Sequence, residues 1–114
     1  MIYPHCFVGL NAQLGDSVFC LSGCVINHDN VIEDRVVLAS GVTLAGSVHV
    51  ESACYLGQAC SVRQKLRVGS GSMIGMGAVV VKDVAPGSVI VGNPGRVLRA
   101  SQGGANTASR KGAR

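Results

Sequence analysis

The sequence predicts an all-β protein in which one strand of chain winds into a parallel β-helix of six-residue repeats. Three observations predict this fold. An aliphatic residue or cysteine stands at every sixth position from 2 to 80, and an uncharged residue stands four positions after each of them. The composition is also low in charge (14%), low in aromatic residues (4%) and rich in glycine (16 of 114 residues), which suits narrow, closely packed layers. The length suffices for one domain core.

The six-residue period is the strongest signal in the chain. At 47% hydrophobic residues, a given frame would fit all fourteen positions by chance roughly three times in 100,000. The first set is Ile2, Val8, Leu14, Cys20, Ile26, Ile32, Leu38, Leu44, Val50, Leu56, Val62, Val68, Ile74 and Val80. The second set is Cys6, Ala12, Val18, Cys24, Asn30, Val36, Val42, Val48, Cys54, Cys60, Leu66, Ser72, Ala78 and Val84.

Each repeat is expected to form one short strand and one corner. A second-set residue and the next first-set residue are two positions apart, so both side chains lie on the inner face of a strand. The position after each first-set residue is often small or turn-prone, as a corner requires. Three repeats close a coil of eighteen residues, and coils stack at about 4.8 Å. Residues eighteen apart should therefore lie above one another, over about 4.7 coils.

The repeat also predicts the domain boundaries. It stops after Val84, and the segment 87–98 is expected to form a final strand, a turn and a cap. We therefore assign residues 1–99 to the β-helix domain. Residues 100–114 have no apolar periodicity and are expected to form a disordered basic tail.

Charge and hydropathy limit the classes of partner. Residues 1–81 carry four basic and five acidic residues, whereas residues 82–114 carry six basic residues and one acidic residue. The basic end suits an anionic ligand or a solubilising tail, and no basic face with interleaved aromatics suggests nucleic acid. No apolar run approaches the roughly 18 residues of a membrane span, and the N-terminus does not resemble a signal peptide. We expect a soluble, cytoplasmic protein that binds neither nucleic acid nor membrane.

The five cysteines all fall on inward positions, where cysteine packs as a small hydrophobic residue. Cys6 and Cys24 are eighteen residues apart and should stack. A disulfide between them is conceivable, but a cytosolic setting disfavours it.

His28 is the candidate catalytic residue. It lies at a corner, two residues after the inward Ile26, so its ring should face solvent or another chain. Gly46 is eighteen residues later and should expose a backbone N–H one coil above. A neutral imidazole beside an open backbone donor suits acyl transfer, because one accepts a proton and the other stabilises an oxyanion. Asp29 could orient the ring. The alternative is an ordinary corner histidine, and His5 and His49 are expected at the surface.

Three segments carry a resemblance to a known family: Ile26 to Ile32 with Leu44 to Gly46, Ile74 to Val84, and Val91 to Arg96. They resemble the hexapeptide-repeat acyltransferases, and most closely the sialic acid O-acetyltransferase and bacillosamine N-acetyltransferase family. The resemblance implies a left-handed β-helix, a homotrimer with active sites between subunits, and transfer from acetyl-CoA to a sugar or another small hydroxyl or amine compound.

The resemblance also implies residue roles. His28 would be the general base, and Asp29 would tune the basicity of its ring. The transfer from acetyl-CoA would need no metal. The residues implied to bind acetyl-CoA are Gly46, Gly57, Gly75 and Gly77 in the groove, Lys82 and Arg96 at the phosphates, and Asn93 and Pro94 at the adenine end.

Three departures from the family pattern keep other interpretations open. Val37 stands where the family has a second histidine, Asn30 stands where the family often has cysteine, and the family's N-terminal nucleotide-sugar domain is absent from the sequence. One alternative is a non-catalytic β-helix, either an assembly module or a truncated relic of an enzyme. Another is a zinc-dependent hydratase resembling the γ-type carbonic anhydrases. The spacings of 23 and 21 residues between the histidines do not match the eighteen-residue stack, which disfavours zinc.

Overall fold

The computed structural model describes residues 1–3 and 5–99, and their regular structure is entirely β. The predicted fold class, an all-β left-handed parallel β-helix, is confirmed. The prediction of a disordered tail over residues 100–114 lies outside the described residues. The strands are β1 Phe7–Val8, β2 Gln13–Leu14, β3 Phe19–Cys20, β4 Val25–Ile26, β5 Val31–Ile32, β6 Val37–Leu38, β7 Thr43–Leu44, β8 His49–Val50, β9 Tyr55–Leu56, β10 Ser61–Val62, β11 Arg67–Val68, β12 Met73–Ile74, β13 Val79–Val80, β14 Val89–Val91 and β15 Arg96–Arg99.

Three parallel sheets form the faces of a triangular prism. The first has the order β1-β4-β7-β10-β13, the second β2-β5-β8-β11, and the third β3-β6-β9-β12-β14 followed by β15. Strands pair with a register of eighteen residues, so that Ile26 lies beside Leu44 and Leu44 beside Val62. The predicted eighteen-residue coil is therefore the structural unit.

The interior is a column of inward side chains, as the two repeat sets predict. From Val18 to Val84 the inward residues are buried, except that Leu66 is only partly buried. The first coil differs, because Ile2 is 47% exposed and Val8 is 40% exposed. In the described part of the chain no coil lies below them, so their inward position does not give burial. Cys20, Cys24, Cys54 and Cys60 are buried, Cys6 is partly buried, and all five thiols are free.

The corners contain a left-handed residue that the sequence pattern did not reveal. From residue 5 to residue 77, every sixth residue has a positive φ, and nine of these thirteen residues are not glycine. They stand three positions after the first-set residue, whereas the sequence pointed to the position directly after it. Glycine at that earlier position serves close packing between coils. A Cβ at Gly9 would lie 2.8 Å from the backbone of Asn27, and one at Gly57 would lie 2.7 Å from the carbonyl of Ile74.

The end of the prism follows the prediction of a final strand, a turn and a cap. Met73 pairs with Val89 after only sixteen residues, so the last coil is two residues shorter than the others. The chain then turns and β15 pairs antiparallel with β14. Among the described residues, no helix has the length and apolarity that crossing a membrane requires.

Candidate active site

Two edges of the prism carry the residues that the sequence singled out. The His28 edge joins the first sheet to the second and consists of residues 9–12, 27–30, 45–48, 63–66 and 81–83, since Val84 already pairs with Val68 of the second sheet. The Gly57 edge joins the third sheet to the first and consists of residues 21–24, 39–42, 57–60 and 75–78. These two edges border the same face, the first sheet.

His28 and Gly46 are in direct contact on the His28 edge. A Cβ built on Gly46 would lie 2.6 Å from both Nε2 and Cε1 of the His28 ring, so the ring lies against the Cα of Gly46. The amide of Ser47 donates a hydrogen bond to the carbonyl of His28 at 3.0 Å, which fixes the two corners relative to each other. The His28 side chain is 66% exposed. The predicted placement, one coil apart with an open side toward solvent, is therefore what the structure has.

Asp29 is placed to orient the imidazole. Its Oδ2 lies 3.1 Å from Nδ1 of His28. Asp29 is the left-handed residue of its corner, with φ of 60°, a conformation that aspartate tolerates better than most residues. Its amide donates to the carbonyl of Leu10 in the coil below at 2.9 Å. When Nδ1 carries the proton toward Asp29, Nε2 is left as a hydrogen-bond acceptor.

Gly46 matters to the site mainly because it lacks a Cβ, whereas the sequence pointed to its exposed backbone N–H. Its N–H donates to no described residue. The same is true of the second corner residue at several other corners, including Ser22, Ser40 and Gln58. An open amide is therefore common along the prism. What distinguishes Gly46 is the missing Cβ, because any larger residue would push the imidazole away from this amide.

Two side-chain amides beside His28 were not assigned a role from the sequence. Asn27 Nδ2 donates to the carbonyl of Leu44 at 2.8 Å, and Asn30 Oδ1 accepts from the amide of Val48 at 2.6 Å. Asn30 is fully buried, and its Nδ2 has no partner among the described residues. An unsatisfied buried donor costs about 1–3 kcal/mol. The sequence signal was a polar residue in a column that is otherwise apolar.

Lys82 and Arg96, the implied phosphate ligands, line one cavity of about 180 Å³ between the last coil and the cap. Lys82 lies on the His28 edge, three coils above His28. Asp83 also lines this cavity, and its Oδ1 accepts a hydrogen bond from the amide of Arg67 at 2.9 Å. Within residues 1–3 and 5–99, neither Lys82 nor Arg96 forms an ion pair. Both cations are therefore free to meet an anion at this end of the prism.

The other residues implied to bind the coenzyme lie away from His28. Gly57, Gly75 and Gly77 lie on the Gly57 edge, where Gly57 and Gly75 line a depression of about 430 Å³ together with Tyr55, Met73 and Met76. Asn93 and Pro94 are exposed in the turn between β14 and β15. One chain therefore does not bring the two groups of predicted residues together.

Two further pairs of titratable side chains, His49 with Glu33 and Arg67 with Glu51, lie at the second sheet. His49 Nε2 lies 2.5 Å from Glu33 Oε2, so this histidine faces outward as predicted but is partly buried. Arg67 is paired with Glu51. The Arg67 hydrogen bond lowers the pKa of Glu51 below its usual range, and the amide of Ser70 adds to this effect. His5 is exposed at a left-handed corner.

Burial controls the chemistry of the cysteines. It raises the pKa of Cys20 to about 11 and that of Cys60 to about 12, and it also raises the pKa values of Cys24 and Cys54. These four thiols are therefore protonated at neutral pH. The described part of the chain has no group of three or more His, Cys, Asp or Glu side chains arranged for a metal ion.

Comparison with solved structures identifies the fold family. The acetyltransferase domain of PglB from Neisseria gonorrhoeae FA1090 superposes with a TM-score of 0.74 and 26% identity, over 86% of this chain and 57% of that one. The chain has the fold of the hexapeptide-repeat acetyltransferases. Serine acetyltransferase from Neisseria gonorrhoeae gives a TM-score of 0.69 and 28% identity, over 88% of this chain and 41% of that one.

A third hexapeptide-repeat acetyltransferase, from Vibrio cholerae O1 biovar eltor and complexed with acetyl coenzyme A, gives a TM-score of 0.76 at 21% identity, covering 88% of this chain and 67% of that one. The predicted resemblance to the hexapeptide-repeat acyltransferases is confirmed. This chain spans somewhat more than half of the PglB acetyltransferase domain. No protein-family model and no curated protein sequence matches the chain.

Proposed function

We propose that the protein is a cytoplasmic acetyl-CoA-dependent O- or N-acetyltransferase whose acceptor is a sugar or another small hydroxyl or amine compound. The observation that carries the proposal is the contact of the His28 imidazole with Gly46, which lies beside a backbone N–H that has no hydrogen-bond partner among the described residues. The comparisons support the same chemistry, since the PglB acetyltransferase domain was also solved in complex with acetyl coenzyme A, at 25% identity and a TM-score of 0.64.

The proposed mechanism begins at His28. Asp29 accepts a hydrogen bond from Nδ1–H, so the free Nε2 takes the proton of the acceptor hydroxyl or amine as that group attacks the thioester carbonyl carbon. The carbonyl oxygen becomes an oxyanion, and the Gly46 N–H donates a hydrogen bond to it. The C–S bond then breaks, the acetyl group stays on the acceptor, and His28 returns its proton to the departing thiolate. The imidazole ends neutral, ready for another turnover.

Lys82 and Arg96 are proposed to bind the phosphates of the coenzyme. Both line the same cavity, and Lys82 lies in the corner after β13, three turns above the corner of His28. Three coil spacings of about 4.8 Å separate them along the axis, a distance of about 14 Å. A long, narrow coenzyme lying along the His28 edge would reach from the reacting carbon to these cations.

We also propose that the protein is a homotrimer with active sites between subunits. The outer face of the third sheet exposes Phe19, Tyr55 and Met73 by 43–50% each, and exposed apolar patches of this kind favour association. A site that uses both the His28 edge and the Gly57 edge also requires two copies. Three chains of 11.6 kDa give about 35 kDa. Light scattering should give this mass, and a stable monomer at micromolar concentration would overturn the shared site.

A thiol-release assay tests the proposed function. The wild-type protein is incubated with acetyl-CoA and a panel of amino and hydroxy sugars, and free coenzyme A is measured. We expect acceptor-dependent release that is lost in His28→Ala. His49→Ala is the matched control, because it removes a histidine on the adjoining sheet that pairs with Glu33. Acetyl-CoA binding by calorimetry separates the alternatives, since a non-catalytic β-helix would neither bind the coenzyme nor release thiol with any acceptor.

A further inference from the structure

Asn30 is a polar side chain in a column where the fold accepts apolar residues. The inward positions directly below and above it are Ala12 and Val48, and Leu66 lies above Val48 in the same column. Asn30 is fully buried, and its Nδ2 has no hydrogen-bond partner among the described residues. The β-helix therefore does not need asparagine here, and a buried donor without a partner destabilises it.

The Oδ1 atom of the Asn30 side chain accepts a hydrogen bond of a kind that is rare in this structure. At several other corners the amide of the last corner residue donates to the carbonyl of the first residue of its own corner, as Ala12 does to Gly9 at 3.4 Å and Ala78 to Gly75 at 3.1 Å. The amide of Val48 instead donates to Asn30 Oδ1 in the coil below, at 2.6 Å. The corner that contains Gly46 is thus fastened to another coil by a side chain.

The position of this bond connects it to the candidate site. Asn30 stands two residues after His28, and Val48 stands two residues after Gly46. Asn27 makes the corresponding bond on the other side, from Nδ2 to the carbonyl of Leu44. In the described residues, these are the two hydrogen bonds formed by side-chain amides, and both join the corner of His28 to the corner of Gly46.

We infer that Asn30 is a positioning residue that holds the Gly46 N–H at the correct place relative to the His28 ring. It acts on the backbone of residues 46–48 through the Val48 amide and touches no reacting atom. The inference rests on the proposed function, in which Gly46 donates to the oxyanion. It explains why a side chain with an unsatisfied donor stands in an apolar column, because a misplaced oxyanion donor loses much of its effect.

The test compares three variants of the full chain. Asn30→Val removes the acceptor and the unsatisfied donor, and valine already occupies this column at position 48. Asn30→Ser is the conservative variant, because Ser72 Oγ accepts the amide of Ser88 at 3.3 Å from a similar inward position. Ser72→Ala is the matched control, since it removes a buried acceptor on the prism edge between the second and third sheets, away from both His28 and Gly57.

For Asn30→Val we expect Tm at or above that of the wild type, kcat lowered about tenfold, and KM for acetyl-CoA within about twofold. We expect Asn30→Ser to retain most of kcat, and Ser72→Ala to leave kcat unchanged. A structural role alone would shift Tm without this selective loss of kcat. If Asn30→Val keeps full kcat, or if Ser72→Ala loses as much as Asn30→Val, the positioning role is wrong.

Amide hydrogen exchange gives a readout that does not depend on turnover. In Asn30→Val, the amides of Ser47 and Val48, which are hydrogen-bonded to the coil below, should exchange at least tenfold faster, while amides on the Gly57 edge keep their rates. Unchanged exchange at both Ser47 and Val48 would overturn the positioning role by itself. A wild-type protein that transfers no acetyl group to any acceptor would instead overturn the proposed function, so the two failures are distinguishable.

Discussion

Gly46→Ala tests the contact on which the candidate site depends. The added Cβ would lie 2.6 Å from Nε2 and Cε1 of His28, whereas carbon atoms in favourable contact are about 3.5–4.0 Å apart. The imidazole must therefore retreat by about 1 Å. This movement is easy, because the His28 side chain is 66% exposed and can turn toward solvent. The backbone need not change, since Gly46 is not among the residues with positive φ.

The expected result is a loss of turnover without a loss of stability. A misplacement of about 1 Å at a catalytic group lowers the rate about a hundredfold, which corresponds to about 3 kcal/mol of transition-state stabilisation. The variant keeps the backbone N–H at residue 46, so the loss of turnover measures the effect of displacing the His28 ring. Tm should stay at or above the wild-type value, because alanine restricts the unfolded chain more than glycine does. Initial rates of thiol release and a thermal melt measure both quantities.

A double-mutant cycle with His28→Ala shows whether the effect passes through the ring. In the His28→Ala background there is no imidazole to displace, so Gly46→Ala should cause little further loss. Near-normal turnover of the single variant would refute the reasoning. An equal loss in both backgrounds would also refute it, because the added methyl group would then be acting on the acceptor or the coenzyme.

Three further predictions concern other residues. His28→Ala should lower turnover by about two to four powers of ten, and Asp29→Asn should lower it less, as measured by steady-state kinetics with unchanged oligomer mass. Glu51→Gln should lower Tm at pH 7, and the difference should vanish in acid. Arg67 lowers the folded-state pKa of Glu51, so the stabilisation is present above the unfolded-state pKa and is lost as pH falls through the folded-state value. A thiol reagent at neutral pH should label at most the partly buried Cys6 in the native protein and all five cysteines after denaturation.

The sequence predicted the coil and its strand register well because the period determines both, whereas the left hand of the helix came from the family resemblance. Inward side chains two positions apart, repeated every six residues, fit only a chain that returns to the same face after a fixed number of residues. Burial at the first coil was not predictable in the same way, since Ile2 and Val8 have the inward pattern and yet are exposed. The period predicts which side chains point inward, whereas the burial of those side chains also requires a neighbouring coil.

The candidate site was predicted in part. The eighteen-residue interval placed Gly46 above His28, and the structure puts them in contact. The left-handed corner residues were missed, because Arg35, Ala53 and Lys65 are not residue types that signal a positive φ. The hydrogen bonds of Asn27 and Asn30 to the next coil were also missed, because they depend on rotamers that a period does not specify. The separation of Gly57, Gly75 and Gly77 from His28 follows from the coil register alone.

The eighteen-residue coil sets the axial spacing between residues on the same edge of the prism. Lys82 follows His28 by three whole coils, so the axial distance between an anion-binding group and the candidate base is counted in units of about 4.8 Å. Inserting or deleting one whole coil would change that distance by one unit and leave every later residue on its own edge. Any other change in length would rotate the later residues to a different edge or require a distorted coil, such as the sixteen-residue return from Met73 to Val89. The distance between the candidate base and the anion-binding group can therefore change by whole coils. Each such change leaves the residues around His28 and around Lys82 unaltered.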